Sequence, residues 1–593
     1  MKEFFKSLAA SFTAVAIFGI IATIILISLI GSLLDFGPKG PAMPSKAVLE
    51  MDMSRIIISE QTLEPSTALT EILDGEAVVT PMGIFNLIQT INAAAQDPAV
   101  KLIYLKPDAT TGGLAQIEEL RKALLNFRRS GKAVVSYIEN PTNAGYYLAT
   151  ASDKIYMTTH DGGLNTFNGI SSQMLFLKDA LDRLGINVQL IRHGKYKSAG
   201  EMFVRSSASK ENLEQNQSMI NSIWQSWSED IAQSRGISTD DLNKAVDNLE
   251  LNTPSDFLAK GLVDELLTSE QMNQKLAALY MASSPAEVQS ISIQDYSMLL
   301  APVKNDNAKI AIIYADGNII DGSKKKEVAG DRFAELISGI RQDNSIKAVV
   351  LRVNSPGGSV LASEKILAEL KLLKGRVPVI ASFGDYAASG GYWISAGCDK
   401  IYANRTSLTG SIGVFSLIPD INNTLRNKLH VNITSVNSNE HSDMYGMVRP
   451  LKKSEKEYLQ ASVEQIYDKF TDLVAEGRNM TVSKVDSIGQ GRVWTGAEAL
   501  GIGLIDEIGT LEDAVNFAAQ AVARTYDTSN IEVVECPRPL TDMELLLEAY
   551  GYSFDASIPD LHPFKSIESA FKDWTATQSG KVYARMPYEF IIR

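Results

Sequence analysis

Two spacings of apolar residues alternate along most of the chain. Lys46 to Met53, Val100 to Leu105 and Lys132 to Ile138 are short apolar runs rich in Val, Ile and Tyr, which predicts buried strands. Between them, Phe85 to Ala95 and Ile117 to Phe127 repeat apolar side chains three and four residues apart, the period of amphipathic helices. Strands alternating with helices in this way predict an α/β fold.

The pattern then returns at an offset of about 245 residues. Phe85-Asn-Leu-Ile-Gln-Thr-Ile is answered by Phe333-Ala-Glu-Leu-Ile-Ser-Gly-Ile, and Gln96-Asp-Pro-Ala-Val-Lys101 by Gln342-Asp-Asn-Ser-Ile-Lys347. Gly112-Gly113 matches Gly357-Gly358. The segment from Gly145 through Asp153 to Tyr156 matches Gly391 through Asp399 to Tyr402. Late in each half, Lys260-Gly-Leu-Val-Asp-Glu265 answers Ile502-Gly-Leu-Ile-Asp-Glu507. Five matches in one order at a nearly constant offset predict a tandem duplication of one α/β domain, with 283–308 as the joint. A repeat this long means two whole domains and not a solenoid.

The N-terminus departs from this alternation. Phe12 to Leu34 is almost wholly apolar, and no charge interrupts the chain from Ser7 to Leu34. That is long enough for a transmembrane helix, which needs about 20 residues. Lys2 and Lys6 favour a cytoplasmic N-terminus, leaving the bulk of the protein outside the cytoplasm. A cleaved signal peptide fits less well, because the run exceeds the usual apolar core of roughly 7–15 residues and lacks a small-x-small cleavage site. Gly37 to Pro44 reads as a linker off the membrane.

Composition narrows the function without choosing it. The 593 residues are 45% hydrophobic and 21% charged, as in ordinary globular proteins. A net charge of −14 and the lack of a basic stripe argue against nucleic acid as a partner. Two cysteines, Cys398 and Cys536, make no disulfide framework, and five histidines form no cluster with metal-ligand spacing.

The candidate chemistry sits where the halves differ. Val377 to Phe383 predicts a strand, and Asp385-Tyr-Ala-Ala-Ser389-Gly-Gly predicts a tight turn entering a helix. Read alone, Ser389 is a helix cap. Its equivalent in the first half is Asn143, so only the second half offers a hydroxyl. A serine nucleophile needs a base. His193 and His441 lie in comparable stretches, but the sequence points to no carboxylate that would orient either. His193-Gly-Lys195-Tyr-Lys197-Ser follows a strand-like run, and the halves align Lys195 with Glu440 and Lys197 with Ser442. The first half thus keeps lysines that the second lacks, which predicts one composite site with a neutral, buried lysine as base. Spacing does not choose between Lys195 and Lys197, since residues two apart in an extended chain share a face. Gly357-Gly358, in Asn354-Ser-Pro-Gly-Gly-Ser359, can aim backbone N–H groups at an oxyanion. Ser411, in Thr409-Gly-Ser-Ile-Gly413, can hold a lysine amine in place.

Asn354-Ser-Pro-Gly-Gly, Ala388-Ser389-Gly-Gly-Tyr and Thr409-Gly-Ser411-Ile-Gly, in this order and spacing, resemble the signal peptide peptidase A family, also called protease IV, and Gly194-Lys-Tyr-Lys197-Ser-Ala, the N-terminal anchor and the internal duplication are similar to its long two-domain form. The resemblance covers roughly Lys46 to Ala523. It implies a Ser-Lys peptidase on a tandem ClpP/crotonase-like α/β fold, with Ser389 as nucleophile, Lys197 as general base and Ser411 supporting the lysine. Gly357 and Gly358 would supply the oxyanion hole. The family implies no metal or nucleotide cofactor, hydrophobic signal peptides as substrates, and a membrane-anchored homotetramer whose catalytic domains face the periplasm from the inner membrane. The expected layout is an anchor over 1–36, a linker over 37–45, domains over 46–282 and 309–523, and a C-terminal extension over 524–593 outside the likeness. A crotonase-type acyl-CoA enzyme, or an inactive membrane scaffold of the same fold, is the alternative.

Overall fold

Runs such as Ala348 to Val353 carry apolar side chains on both faces of a strand, and a strand of that kind needs cover on both sides. The computed structural model answers this with two parallel sheets flanked by helices; it describes residues 41–62, 79–523 apart from Pro302, Asp306 and Lys326, 531–538 and 581–586. The expected anchor over Phe12–Leu34 lies outside the described residues. Among the described residues no helix is long and apolar enough to cross a membrane.

In chain order the first half supplies β1 (Ala47–Asp52), β2 (Val100–Lys106), β3 (Ala133–Ile138), β4 (Lys154–Thr158), β5 (Asn187–His193), β6 (Glu265–Leu267) and β7 (Ser290–Ser292). All but β5 join one parallel sheet in the order β6-β4-β3-β2-β1-β7. The second half supplies β8 (Lys309–Asp316), β9 (Ile346–Ser355), β10 (Gly357–Ser359), β11 (Val379–Ala388), β12 (Lys400–Ala403), β13 (Leu408–Gly410), β14 (Val414–Asp420), β15 (Val493–Thr495) and β16 (Glu507–Ile508). The C-terminal extension adds β17 (Glu532–Cys536) and β18 (Tyr583–Arg585). Here the parallel order is β16-β12-β11-β9-β8-β17, which repeats the first sheet strand for strand. β7 falls in the stretch read as a joint and β17 in the extension, yet each completes the edge of its own sheet.

Two features tie the halves together and so set the site. First, β5 leaves its own sheet and pairs antiparallel with β14 along its whole length, from Asn187 with Asp420 to His193 with Val414. This carries the residues after His193 to the second half. Second, Arg352 of β9, 1% exposed, donates from Nε to Glu60 at 2.6 Å and from Nη1 to Glu119 at 2.8 Å. Both carboxylates come from the first half, and the burial of all three side chains makes the cluster a fixed junction. β11 then forks: Ile380 to Phe383 pair with β12, while Tyr386 to Ala388 pair with β13. The fork opens the space in which the next residue, Ser389, stands.

Candidate active site

Ser389 follows the last residue of β11 and precedes the short helix Gly390–Ser395. It stands at a cap position, but its side chain makes no capping bond, and its backbone takes φ 55°, ψ −111°. A positive φ at a non-glycine residue costs of order 1–3 kcal/mol and persists only where the surroundings enforce it. Its N–H donates to Gly410 O at 2.8 Å and its carbonyl accepts from Trp393 N at 2.8 Å, which pins the residue from both sides. Glycines follow because nothing larger fits: a methyl on Gly391 would stand 2.7 Å from Ser355 O, and one on Gly390 2.9 Å from Ser363 Oγ. The Ser389 hydroxyl is therefore turned away from its own helix. It lies 2.7 Å from Lys197 Nζ and 3.4 Å from Gly413 O.

Lys197 is 0% exposed. Its Nζ is 3.0 Å from Ser411 Oγ and 3.1 Å from Ser411 O. Burial alone holds this amine well below the ordinary lysine value. A neutral amine has two N–H bonds and one lone pair. Three oxygens surround it, Ser389 Oγ, Ser411 Oγ and Ser411 O, so one of the two hydroxyls must face the lone pair while the other two oxygens accept the N–H bonds. Lys195, by contrast, is exposed, with its ammonium 5.0 Å from the ring centre of Tyr196. Residues 194–197 form a turn and not a strand, so the two lysines do not share a face.

The remaining residues singled out from the sequence divide in two. Gly357 has φ 98° and its N–H donates to Ser355 Oγ at 3.2 Å. A methyl on Gly390 would stand 3.1 Å from Gly358 N, so the backbone of this turn and that of the residue after Ser389 converge. The histidines go elsewhere. His441 Nδ1 lies 2.9 Å from Glu455 Oε1 and His193 stacks on Tyr467, centroids 3.9 Å apart. Cys398 is buried and its thiol is pushed up to about 12 by burial, so it stays a thiol. Among the described residues no group of His, Cys, Asp or Glu could hold a metal ion.

One part of the site had no sequence signal. The turn Gly489–Arg492 wedges between the two halves: Tyr196 N donates to Gln490 O at 2.9 Å, Gly491 N to Ile412 O at 2.7 Å, and Ser411 N to Arg492 O at 2.7 Å. Gly491, at φ 79°, lies flat on the Lys197 backbone; a methyl there would stand 2.6 Å from Lys197 N and 2.7 Å from Lys197 Cα. This turn fixes Lys197 and Ser411 against each other. Gly-Gln-Gly carries no pattern that would mark it, so only the packing reveals it.

The profile of peptidase family S49 matches residues 126–283 and 371–524, once in each half, and the Clp protease profile matches residues 307–412. Protease 4 of Haemophilus influenzae is 34% identical over 521 residues, covering 85% of this chain and 84% of that protein. Protease 4 of Salmonella typhi is 34% identical over 494 residues, covering 80% and 78% respectively. The chloroplastic serine protease SPPA of Arabidopsis thaliana is 31% identical over 473 residues, covering 78% and 68%.

Proposed function

The chain belongs to peptidase family S49 as a tandem serine endopeptidase on a ClpP-like α/β fold, and from that premise we propose that Ser389 is its nucleophile and Lys197 its general base. One observation carries the reading: a fully buried amine lies 2.7 Å from a fully buried hydroxyl that its own helix does not use. Neutral Lys197 takes the Ser389 proton as Oγ attacks a peptide carbonyl. Ser411 receives the two amine N–H bonds and keeps the lone pair on that line. The oxyanion collects backbone N–H groups where the Gly357-Gly358 turn meets Gly390. The lysine then returns the proton to the leaving amine, and water resolves the acyl-enzyme by the same base. Both partners of the dyad come from one chain, so assembly of copies is not needed to form it. Membership of a peptidase family replaces the acyl-CoA alternative.

Hydrophobic peptides, residual signal peptides among them, are the proposed substrates. The apolar wall beside Ser389, made by Met219, Ile223, Ala388, Leu408 and Val493, supports this. The apolar run Phe12–Leu34 supports a single-pass anchor in the inner membrane with both halves on the periplasmic side. Exposed Leu429, Val431, Ile433 and Val436 on one segment support association of copies, for which a homotetramer is proposed.

The test is labelling with a fluorophosphonate and turnover of an apolar peptide ester by the purified protein and three variants. Ser389→Ala abolishes both. Lys197→Ala abolishes turnover while Lys195→Ala leaves it unchanged. Labelling that survives Ser389→Ala, or turnover that survives Lys197→Ala, refutes the assignment.

A further inference from the structure

β11 reaches Ser389 through a stretch that its neighbour β9 does not hold. Val353 pairs with Phe383 and Ser355 with Ala387, so the register shifts, and Gly384, Asp385 and Tyr386 have no ladder partner on β9. The stretch lies at the fork, between the residues that pair with β12 and those that pair with β13. Side chains hold it instead. Asn354 Oδ1 accepts from Asp385 N at 3.1 Å and from Tyr386 N at 3.2 Å, and Ser407 Oγ donates to Gly384 O at 2.7 Å. Those ties stay within the second half.

The Asp385 side chain, the one charged group of β11, reaches the other way. Its Oδ1 accepts from Ala115 N at 2.8 Å, at the start of the first half's helix Leu114–Arg129. The free N–H groups and the dipole of a helix start favour a carboxylate there. The seat is close-fitting: a methyl on Gly113 would collide with Asp385 Oδ2, and the Gly113 N–H is already taken by Gln116 Oε1 at 2.9 Å. Gln116 Nε2 donates to Glu60 Oε1 at 2.9 Å, and a methyl on Gly384 would stand 2.8 Å from that same oxygen. Gly112-Gly113 is the counterpart of Gly357-Gly358, so the turn beside the nucleophile in one half receives a carboxylate in the other. Lys197 comes from the first half and Ser389 from the second, so their 2.7 Å contact depends on where β11 sits against the first half. Arg352 ties β9 to that half, whereas Asp385 ties β11 itself, four residues before the nucleophile.

We propose that Asp385 is a positioning residue for the reaction: its bond to the helix Leu114–Arg129 holds the strand that carries Ser389 against the half that carries Lys197. It bonds to neither group and acts through the strand. This rests on the assignment of Ser389 and Lys197 above. Without the bond, Ser389 shifts relative to the amine, which slows attack but leaves the residues that bind a peptide in place. The loss therefore falls on kcat and not on KM.

The experiment uses the full chain and an apolar fluorogenic peptide, with kcat counted per serine labelled by a fluorophosphonate at completion. Asp385→Ala removes the acceptor, and Gly113→Ala leaves Asp385 in place but fills its seat. Each lowers kcat per labelled serine by about tenfold, with KM within about twofold of the parent. Asp385→Asn keeps Oδ1 as an acceptor and loses no more than about threefold. A parental kcat in either alanine variant overturns the proposal. So does a rise in KM at unchanged kcat, or an Asp385→Asn enzyme as slow as Asp385→Ala. Loss of labelled, folded protein with no fall in kcat for the serines that remain is the outcome of a purely structural contact and overturns it too. Unfolding of both alanine variants by circular dichroism counts as that same outcome. A parent chain that takes no label refutes the Ser389 assignment instead, so the two readings fail in different ways.

Discussion

Gly491→Ala is the sharpest test of how Lys197 is held against Ser389. The added carbon would stand 2.6 Å from both the N and the Cβ of Lys197 and 2.7 Å from its Cα, all within a turn whose backbone is already bonded. Carbon contacts settle at about 3.5–4.0 Å, so the Lys197 main chain has to give by about 0.8 Å. The φ of 79° adds about 1–2 kcal/mol of strain for any residue with a Cβ. A misplacement near 1 Å at reacting groups costs about 100-fold in rate, so kcat should fall about 10- to 100-fold. That is roughly 1.4–2.7 kcal/mol of barrier. KM should hold, because the added carbon meets Lys197 alone and not the apolar cluster of Met219, Ile223, Ala388 and Leu408. The assay is steady-state hydrolysis of an apolar peptide ester, with circular dichroism to verify folding. Gly501→Ala is the matched control: it lies inside the helix Gly496–Ile502 with nothing within 4 Å of the new carbon, and should keep full activity. Wild-type kcat in Gly491→Ala would show that this turn does not position Lys197.

Four further outcomes follow from the buried charges. Burial holds Lys197 below the ordinary lysine value of 10.5, so kcat/KM should rise with pH along a limb well below that value. For the same reason the unfolded chain binds more protons in that window, folding stability increases with pH through it, and Lys197→Met should unfold at a higher temperature than the parent at pH 7 while losing activity. Arg352→Ala leaves Glu60 and Glu119 buried without their cation and should cost about 3–5 kcal/mol, read as a fall in the urea midpoint. Burial pushes Glu118 up to about 7, so the folded chain holds its proton longer than the unfolded chain and stability falls as pH rises from about 4.5 to 7. Glu118→Gln should flatten that decline in urea titrations at pH 5 and pH 8.

The sequence made the doubled α/β fold legible because strands buried on both faces read as unbroken apolar runs. It left Val414–Asp420 unread. Ser416 and Pro419 interrupt that segment, and its pairing partner β5 lies more than 200 residues earlier, in the other half. Spacing does not separate Lys195 from Lys197, since residues two apart share a face in an extended chain, whereas the turn that this segment forms aims one outward and one inward. Tyr583-Ala-Arg is too short for any periodicity, and its place depends on two edges that only tertiary structure brings together. Local pattern encodes which side chains are buried; it does not encode which edge is left open.

The two halves also differ at the positions that meet between them. At the position equivalent to Ser389, Asn143 closes its own half: Nδ2 donates to Gly169 O at 2.9 Å and Oδ1 accepts from Gly169 N at 3.1 Å. At the position equivalent to Lys197, Ser442 is exposed and its hydroxyl donates to Asn439 O at 3.0 Å. Each counterpart is satisfied by local bonds and has no partner across the halves. A lysine can be kept neutral only where every neighbour excludes water, and a single α/β unit presents its strand ends to solvent. Covering those ends with β5 and the turn at Gly491 supplies the exclusion, and both depend on the second copy being present. The duplication is therefore not redundancy: the first half supplies both the buried amine that lies against the second half's serine and part of the dry wall around it.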